Sequence, residues 1–468
     1  MLFERIYDED LSQASYFIGC QASGEAVVVD PRRDIGVYLE MAKKNDMRIV
    51  AVTETHIHAD YLSGSRELAE ATGATLYLSD EGDEDWKYGF GDVKLHDGDE
   101  IKIGNITLRT VHTPGHTPEH ISFLVTDGAL TDEPGYLLSG DFVFVGDLGR
   151  PDLLEEAAGI ANTREKGARE MFASLRDKFM PLADYVQVHP AHGAGSACGK
   201  ALGSVPSSTV GYEKMFSWWR KHVESGDEEG FMQNLLEGQP DAPVYFGRMK
   251  RHNKQGPALL GELPRLERYD AAELARQLRS GEMILIDTRP LEEYYQGAIV
   301  GAISIPRGDH LATSAGWVID PEQDDRPIAL LARDEEDAEE MRDHLLRVGI
   351  DNVRGYVTST EGLPKEPVEL VTPEELEKMD GGASVLDVRA KSEYAEGHIP
   401  GASQLHVGRV RWHLEDLPQG RPLVVHCQTG RRAAIAASAL RLHGVDEIIE
   451  LEGSYEGWVE AQQKTRTA

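Results

Sequence analysis

Basic residues and cysteines are both scarce in this chain, and each shortage excludes a class of protein. Of 468 residues, 48 are lysine or arginine and 81 are aspartate or glutamate, so the net charge is −33. Such a charge disfavours nucleic acid and anionic membrane surfaces, and we expect neither as a partner. The three cysteines, Cys20, Cys198 and Cys427, are too few for a disulfide framework, which favours a reducing compartment.

Long apolar runs are also missing. No run in the sequence is long enough to span a bilayer. The first ten residues lack the basic start, the apolar core and the cleavage site of a signal peptide. We therefore expect a cytoplasmic protein, and its length predicts about three domains, each with its own core.

Side chains that bind metals follow four apolar, strand-like runs in the first half of the chain. The runs lead into Thr-His-Ile-His-Ala-Asp-Tyr (55–61), Thr-Pro-Gly-His-Thr (113–117), Ser-Gly-Asp (139–141) and His-Pro-Ala-His-Gly (189–193). The ligands of a metal site typically come from different segments and meet only in the fold. The order of these motifs therefore predicts one convergent metal site.

The motifs resemble those of the metallo-β-lactamase superfamily over about residues 1–245. The resemblance implies an αββα fold. It also places Tyr61 where the superfamily carries a histidine that helps to hold a second metal. Because a phenol is a poor ligand for a dinuclear zinc site at neutral pH, the usual two-metal hydrolase is the weaker interpretation.

Within the superfamily, the motifs are most similar to the persulfide dioxygenase branch. That resemblance implies one mononuclear Fe(II) on a face of two histidines and one carboxylate, with open positions for substrate and O2. It implies His56, His116 and Asp141 as ligands, and His58, Asp60 and His192 as second-shell or vestigial second-metal groups that orient ligands, bind water or move protons. A zinc thioester hydrolase of the glyoxalase II type has similar motifs and remains the alternative, with zinc as its metal.

Two more residues in this half are candidates for the substrate pocket. Arg150 lies in Gly-Asp-Leu-Gly-Arg-Pro-Asp (146–152), and in the relatives an arginine here binds the carboxylate of the thiol carrier. The alternative for Arg150 is an ion pair with Asp147 or Asp152. Cys198, six positions after His192, is either a pocket thiol that takes up sulfane sulfur or a small buried side chain.

The second half of the chain repeats itself with an offset of 100 residues. Leu-Ile-Asp-Thr-Arg (285–289) aligns with Val-Leu-Asp-Val-Arg (385–389), and a Gly-Ala pair follows in each copy. Alternating strands and helices predict a parallel α/β sheet in both copies. The copies resemble rhodanese domains. The expected α/β multidomain chain has a metallo-β-lactamase fold at 1–245, a linker at 246–264, an inactive rhodanese-like domain at 265–362 and an active one at 366–468.

The second copy carries a reactive loop. A strand from Pro422 leads into Cys-Gln-Thr-Gly-Arg-Arg (427–432) and then into helix formers, and a helix N-terminus favours a thiolate. The loop resembles the active-site loop of rhodaneses, whose cysteine accepts a sulfane sulfur as a persulfide. A Cys-based phosphatase is the alternative, although its loop is usually one residue longer. We predict Cys427 and Arg432 as catalytic residues, and Gln428, Thr429, Gly430 and Arg431 as substrate-binding residues.

The first copy has lost this chemistry. Ala332 aligns with Cys427, and the residues that follow include Asp334, Glu335, Glu336 and Asp337. An anionic loop repels sulfite and thiosulfate. We therefore expect a spacer or assembly domain that orients the other two.

The resemblance to persulfide dioxygenase–rhodanese fusions implies a function for the whole chain in sulfide oxidation. A small thiol persulfide, of the glutathione, coenzyme A or bacillithiol type, is oxidised with O2 to sulfite. The Cys427 loop then transfers sulfur between thiol persulfide, sulfite and thiosulfate. By analogy we expect a homo-oligomer, a dimer or tetramer. Two rival functions are a zinc thioesterase with rhodanese modules attached and a non-enzymatic sulfur carrier with a vestigial iron site.

Overall fold

A computed structural model describes residues 1–153, 155, 163–308, 310–379, 381–417 and 422–467. The predicted domain ranges also take in residues 154, 156–162, 309, 380, 418–421 and 468, which lie outside the described residues. The chain divides into two compact units, Met1–Ala242 with Phe246–Glu262, and Pro243–Tyr245 with Leu263–Ala468. No helix in the described ranges is both long and apolar enough to cross a membrane.

The first unit is built on two six-stranded sheets. The first sheet has the order β1 (Leu2–Asp8), β2 (Gln13–Cys20), β3 (Glu25–Val29), β4 (Arg48–Thr53), β5 (Thr75–Ser79) and β6 (Val93–Leu95). The second sheet has the order β12 (Ser208–Thr209), β11 (Gln187–Pro190), β10 (Tyr136–Gly140), β9 (Ile121–Asp127), β8 (Ile106–His112) and β7 (Glu100–Ile103). The pairs β3–β4, β4–β5, β5–β6 and β10–β11 are parallel, and the remaining pairs of the two sheets are antiparallel.

The two sheets enclose a shared apolar core because side chains alternate between the faces of a strand. In β2, Tyr16 and Ile18 point to the same cluster as Phe123 of the second sheet, whereas Phe17 points to the other face. There it joins Tyr38 and its neighbours on the helical side. This is the predicted αββα sandwich.

Helices cover both outer faces of this sandwich. They are α1 (Gly36–Lys44), α2 (Ser65–Thr72), α3 (Thr163–Ser174), α4 (Val210–Phe216), α5 (Arg220–Ser225), α6 (Glu228–Leu236) and α7 (Tyr245–Gln255), with a 3-10 turn at Glu84–Trp86 and a π-helical turn at Leu175–Phe179. One cluster packs α1 and α2 on the first sheet, and another packs α3 to α6 on the second.

The basic stretch at the start of the predicted linker 246–264 is a packed helix. Met249 and Asn253 of α7 are fully buried, and Asn253 donates hydrogen bonds to the carbonyl oxygens of His58 and Tyr61. Met249 and Asn253 lie four apart and so share one helix face, which is why this stretch packs as a helix of the first unit.

The second unit contains two five-stranded parallel sheets, one for each copy of the repeat. The first has the order β13 (Glu267–Arg268), β18 (Val353–Val357), β17 (Ile328–Leu331), β14 (Ile284–Asp287) and β16 (Ala302–Ser304). The second has the order β20 (Leu370–Val371), β24 (Ile448–Leu451), β23 (Leu423–His426), β21 (Ser384–Asp387) and β22 (Ser403–Gln404). A small antiparallel pair joins β15 (Ala298–Ile299) to β19 (Lys365–Glu366).

The helices of the second unit also repeat. The first copy contains α8 (Ala271–Ser280), α9 (Leu291–Tyr295), α10 (Leu311–Val318) and α11 (Glu335–Arg347). The second contains α12 (Pro373–Lys378), α13 (Lys391–Glu396), α14 (Val407–Val410), a 3-10 turn at Leu414–Asp416, α15 (Arg431–Leu442) and α16 (Ser454–Thr467). Every residue of β14, β17 and β23 is buried, as parallel strands covered on both faces require.

Candidate metal centre and sulfur-transfer loop

The three predicted metal ligands meet at the ends of three strands. His56 follows β4, His116 follows β8 and Asp141 directly follows β10. The Oδ2 atom of Asp141 lies 3.4 Å from Nε2 of His116 and 4.0 Å from Nε2 of His56. All three side chains are buried, and their ligand atoms lie within 4.8 Å of one another.

Hydrogen bonds on the far side of each imidazole set its orientation. The Nδ1 atom of His116 lies 2.9 Å from the carbonyl oxygen of Arg150, so this nitrogen carries the hydrogen. The Nδ1 atom of His56 lies 3.0 Å from the hydroxyl of Thr55, which in turn donates to Asp30. In both rings Nε2 is therefore left with its lone pair toward Asp141.

The electrostatics of the cluster suit a cation. Burial, together with the neighbouring histidines, lowers the pKa of His56 well below its ordinary value. Burial also lowers the pKa of His116, although Asp141 opposes the effect. Neutral imidazoles are the form that binds a metal.

Asp141 supplies the observation that tests whether a metal fits. Both of its carboxylate oxygens are buried, and neither has a hydrogen-bond partner among the residues that the structure describes. A buried, unpartnered carboxylate is costly unless a cation balances it. The three side chains thus fit a divalent metal in both charge and donor type.

A second group of possible ligands lies beside the first. It consists of Asp60, His192 and Cys198, all buried. The Nε2 atom of His192 lies 3.4 Å from Oδ2 of Asp60 and 3.6 Å from Oδ1 of Asp141. Burial, Asp141 and Asp60 raise the pKa of the Cys198 thiol well above its usual value. The structure therefore places Cys198 beside the metal cluster with its side chain buried, and its role as a pocket thiol stays a prediction.

His58, which the sequence grouped with Asp60 and His192, faces elsewhere. Its Nε2 atom lies 3.0 Å from Oδ1 of Asp30. Burial alone would lower the pKa of His58, but Asp30 outweighs it and raises the pKa to about 9. The ring is therefore held as a cation in an ion pair behind the site, and it belongs to neither ligand cluster.

Tyr61 is turned away from both clusters. Its hydroxyl donates to the carbonyl oxygen of Asp30 and accepts a hydrogen bond from the side-chain amide of Gln13, each at 3.2 Å. Burial, with the nearby carboxylates of Asp30 and Asp60, raises the pKa of the phenol well above its ordinary value. A phenol held in this way cannot replace the histidine of a second metal site.

The guanidinium of Arg150 forms its hydrogen bonds with other groups of the protein. Its guanidinium is fully buried and donates two hydrogen bonds to Asp152, at 2.9 and 2.6 Å. It also donates to the carbonyl oxygens of Ala197 and Pro240. The alternative that the sequence left open, an ion pair with Asp152, is therefore the arrangement in the structure. A role of Arg150 in binding the carboxylate of a thiol carrier stays a prediction.

Several residues that hold the ligand loops were not singled out from the sequence. Asp30 binds the backbone N–H and hydroxyl of Thr55, and Glu119 accepts the N–H of Ile57 at 2.7 Å. His120 accepts the backbone N–H of Asp141 at 3.0 Å. Each contact joins segments far apart in the chain. Only the proximity of Glu119 and His120 to the Thr-Pro-Gly-His motif could have suggested them.

In the second unit, Cys427 lies between the end of β23 and the start of α15. Its side chain is buried, and the backbone N–H of Gly430 donates to its sulfur at 3.1 Å. Gly430 has φ +110°, a backbone conformation that residues other than glycine rarely adopt. Together with the N-terminus of a twelve-residue helix, this N–H favours a thiolate.

The predicted substrate residues of this loop have different environments. Arg432 forms a two-pronged ion pair with Glu393, at 2.6 and 2.7 Å. Burial alone would lower the pKa of Arg432, but Glu393 and Cys427 raise it. Gln428 accepts a hydrogen bond from Arg389 at 3.1 Å, and Thr429 is exposed. Gly430 supplies its N–H to the sulfur, and Arg431 donates to a carbonyl oxygen of the first copy.

In the corresponding loop of the first copy, the charged side chains form ion pairs within the same domain. Ala332 directly follows β17 as Cys427 directly follows β23, and Asp337 stands five positions later, as Arg432 does after Cys427. The Asp337 carboxylate binds the guanidinium groups of Arg307 and Arg333. Without a thiol, and with a carboxylate in place of the arginine, this loop has no group to carry sulfur.

Comparison with known proteins agrees with this geometry. A metallo-beta-lactamase superfamily model matches residues 8–192, and a rhodanese-like domain model matches residues 270–363 and 372–461. A crystal structure of a metallo-beta-lactamase from Staphylococcus aureus subsp. aureus COL is 38% identical, with a TM-score of 0.66. It covers 76% of this chain and 98% of its own. The chain belongs to the metallo-beta-lactamase superfamily. Its metallo-beta-lactamase domain is followed by two rhodanese-like domains, and the predicted architecture is confirmed.

Two relatives of the metallo-beta-lactamase domain are named after different reactions. Persulfide dioxygenase ETHE1, mitochondrial, of Bos taurus is 26% identical over 200 residues, 41% of this chain and 68% of that protein. A probable polyketide biosynthesis zinc-dependent hydrolase, BaeB, of Bacillus velezensis is 24% identical over 210 residues, 45% of this chain and 85% of that protein. The chain is thus similar to a persulfide dioxygenase and to a probable zinc-dependent hydrolase, and its rhodanese-like domains connect it to sulfur metabolism.

Proposed function

We propose that the chain is a non-haem Fe(II) persulfide dioxygenase joined to a sulfurtransferase. The observation that carries the proposal is the environment of Asp141. Neither of its oxygens has a hydrogen-bond partner among the described residues, and Oδ2 faces His56 and His116 in a buried cluster that offers one carboxylate and two neutral imidazoles. That donor set suits Fe(II) with positions left open for two further ligands.

Tyr61 favours one iron over two zinc ions. The usual second metal of the superfamily needs a histidine there, and Tyr61 instead hydrogen-bonds to Asp30 and Gln13. His58 is paired with Asp30 as well. Two of the groups that would complete a dinuclear site are therefore committed elsewhere.

The chain's own residues would orient the metal and keep the site dry. His56, His116 and Asp141 would hold the iron, which when bound supplies the activation of O2. The carbonyl of Arg150 and the hydroxyl of Thr55 fix the two rings. The ligand side chains are at most 3% exposed, so bulk water is excluded. The net reaction is R–SSH + O2 + H2O giving R–SH + SO3²⁻ + 2 H⁺, and His192 and Asp60 would accept the released protons.

Cys427 would carry the second reaction. Its thiolate attacks the outer sulfur of a thiol persulfide, and the thiol leaves with the electrons of the broken S–S bond. Sulfite then attacks the outer sulfur of the Cys427 persulfide, which gives thiosulfate and restores the thiolate. The N–H of Gly430 and the Arg432 guanidinium beside the sulfur stabilise the anionic forms of this residue.

One specific observation supports a second candidate, a zinc-dependent thioester hydrolase. Asp60, His192 and Cys198 form a separate buried cluster of possible ligands. Carboxylate, imidazole and thiolate are all common zinc ligands. In this alternative the second metal would be bound without a histidine at position 61.

Loading the protein with each metal in turn distinguishes the two candidates. The iron-loaded protein is given the persulfides of glutathione, coenzyme A and bacillithiol in an oxygen electrode, and sulfite is quantified. The zinc-loaded protein is given S-lactoylglutathione without O2. We expect O2 uptake with stoichiometric sulfite from the iron form and no hydrolysis by the zinc form. Thioester hydrolysis by the zinc form, with no O2 uptake by the iron form, would favour the hydrolase.

A further inference from the structure

The first rhodanese-like domain packs directly on the helix that follows the reactive loop of the second. Tyr294 and Ala298 of the first domain form one apolar cluster with Ala434 of α15. Leu291 and Tyr295 lie at the edge of this cluster. The domain without a catalytic cysteine thus lies beside Cys427.

Polar contacts extend this interface to the loop itself. The guanidinium of Arg431 donates to the carbonyl oxygen of Pro306 at 3.2 Å. Further along α15, the hydroxyl of Ser438 accepts the backbone N–H of Ser304 at 2.9 Å. The helix is therefore tied to the first domain at its first residue and again two turns later, which fixes the position of any first-domain side chain near the loop.

Tyr295 is the first-domain side chain nearest to the Cβ position of Gly430 in the reactive loop. Its hydroxyl lies 2.9 Å from the point where a Cβ on Gly430 would be, and Gly430 is the residue whose N–H donates to the Cys427 sulfur. Within the described part of the chain this hydroxyl has no hydrogen-bond partner, and the side chain is only half-buried. Burial, with the charges of Glu450 and Cys427, raises the pKa of the phenol. The hydroxyl is therefore a protonated donor that is free to bind a ligand.

The repeat shows that the shared fold does not require this tyrosine. Tyr294 aligns with Tyr394, but Tyr295 aligns with Ala395. The hydroxyls of the two aligned tyrosines have hydrogen-bond partners: Tyr294 donates to Glu450, and Tyr394 donates to the carbonyl oxygen of Ala402. Tyr295 has no such partner, and its hydroxyl faces the loop of the other domain.

We propose that Tyr295 belongs to the sulfur-transfer site of the second domain, where its hydroxyl donates a hydrogen bond to the sulfur oxyanion bound at Cys427. The inference rests on the sulfur-transfer part of the proposed function. With thiosulfate as donor, the Cys427 thiolate attacks the outer sulfur, the S–S bond breaks, and sulfite leaves with the electron pair. The Tyr295 hydroxyl binds a sulfonate oxygen before and after this step and does not lose its proton. The first domain thereby forms one wall of the site.

The test compares Tyr295→Phe with the full-length wild type in the transfer of sulfur from thiosulfate to cyanide. The substitution removes one hydroxyl and keeps the ring in the apolar cluster. We expect the KM for thiosulfate to rise about tenfold, the effect of one hydrogen bond to an anion. The KM for cyanide, which carries no sulfonate group, and the melting temperature should not change.

Two controls keep the outcomes separate. Tyr394→Phe removes a hydroxyl in the same unit that does not face the loop, and it should keep the wild-type KM for thiosulfate. Cys427→Ser should abolish transfer. An active wild type with an unchanged KM in Tyr295→Phe overturns the role of Tyr295 alone. A wild type that transfers no sulfur overturns the sulfurtransferase proposal, and the role of Tyr295 with it.

Discussion

Arg432 and Glu393 form a two-pronged ion pair in the second rhodanese-like domain, with both guanidinium nitrogens within 2.7 Å of the carboxylate oxygens. The pair joins the first turn of α15 to α13 and holds the guanidinium beside Cys427. Such two-pronged pairs restrict an arginine to one orientation. Glu393 therefore positions the charge that a persulfide anion on Cys427 requires.

Replacement of Glu393 by glutamine should weaken sulfur transfer without unfolding the domain. The amide retains the shape of the side chain but loses the charge, so Arg432 becomes free to leave the cysteine. We expect kcat/KM for thiosulfate to fall about tenfold, the equivalent of one charge-assisted hydrogen bond. Glu396→Gln, an exposed residue of the same helix, is the matched control. Equal activity in both variants would show that the pair is only structural.

Asp141→Asn should remove the metal while the fold persists. The amide is isosteric but cannot balance the charge of a cation between two neutral imidazoles, so we expect iron affinity to fall by at least about 100-fold. The measurement is iron per chain after anaerobic loading and desalting. Asp60→Asn is the control, because a mononuclear centre at His56, His116 and Asp141 does not include Asp60. Two metals in the wild type, with one lost in Asp60→Asn, would contradict the mononuclear assignment.

How much of this site the sequence could predict depends on how local each feature is. Ligands at strand ends were predictable, because β4, β8 and β10 are read from short apolar runs and the motifs follow them directly. The roles of Asp30 and Asn253 were not, because their partners lie 25 to 195 residues away. The pairing of Arg150 with Asp152 was one of two possibilities, and the sequence does not contain the burial that decides between them.

The second unit shows the same limit. The offset of 100 residues predicted two equivalent sheets, and both are present. The loss of the cysteine at Ala332 was likewise visible from the alignment of the copies. That Tyr295 lies over the loop of the other copy could not be predicted, because it depends on how the copies pack and no sequence motif encodes that contact.

His189 should make the first unit sensitive to acid. Burial, with the nearby charge of Arg5, lowers the pKa of His189 from 6.5 to about 4, and neither ring nitrogen has a hydrogen-bond partner among the described residues. The unfolded chain therefore binds a proton at a higher pH than the folded chain does. Stability from this residue is complete above pH 6.5 and is lost as the pH falls toward 4.

His189→Phe tests this account, because the ring lies against Phe3 and Tyr16 and an aromatic replacement can keep those contacts. The free energy of unfolding is measured by urea denaturation of both proteins from pH 8 to pH 4.5. We expect the free energy of unfolding of the variant to increase relative to that of the wild type as the pH falls below 6.5, by up to about 3 kcal/mol. A difference that stays constant with pH would mean that His189 has the same pKa in the folded protein as in the unfolded chain.

The most direct test of the central claim, two coupled reactions in one chain, is a product analysis of Cys427→Ser beside the wild type. Both iron-loaded proteins receive glutathione persulfide and O2, and O2 uptake, sulfite and thiosulfate are followed together. The account predicts equal O2 uptake, with sulfite and thiosulfate from the wild type and sulfite alone from the variant. Equal thiosulfate from both proteins, or no O2 uptake by either, would contradict it.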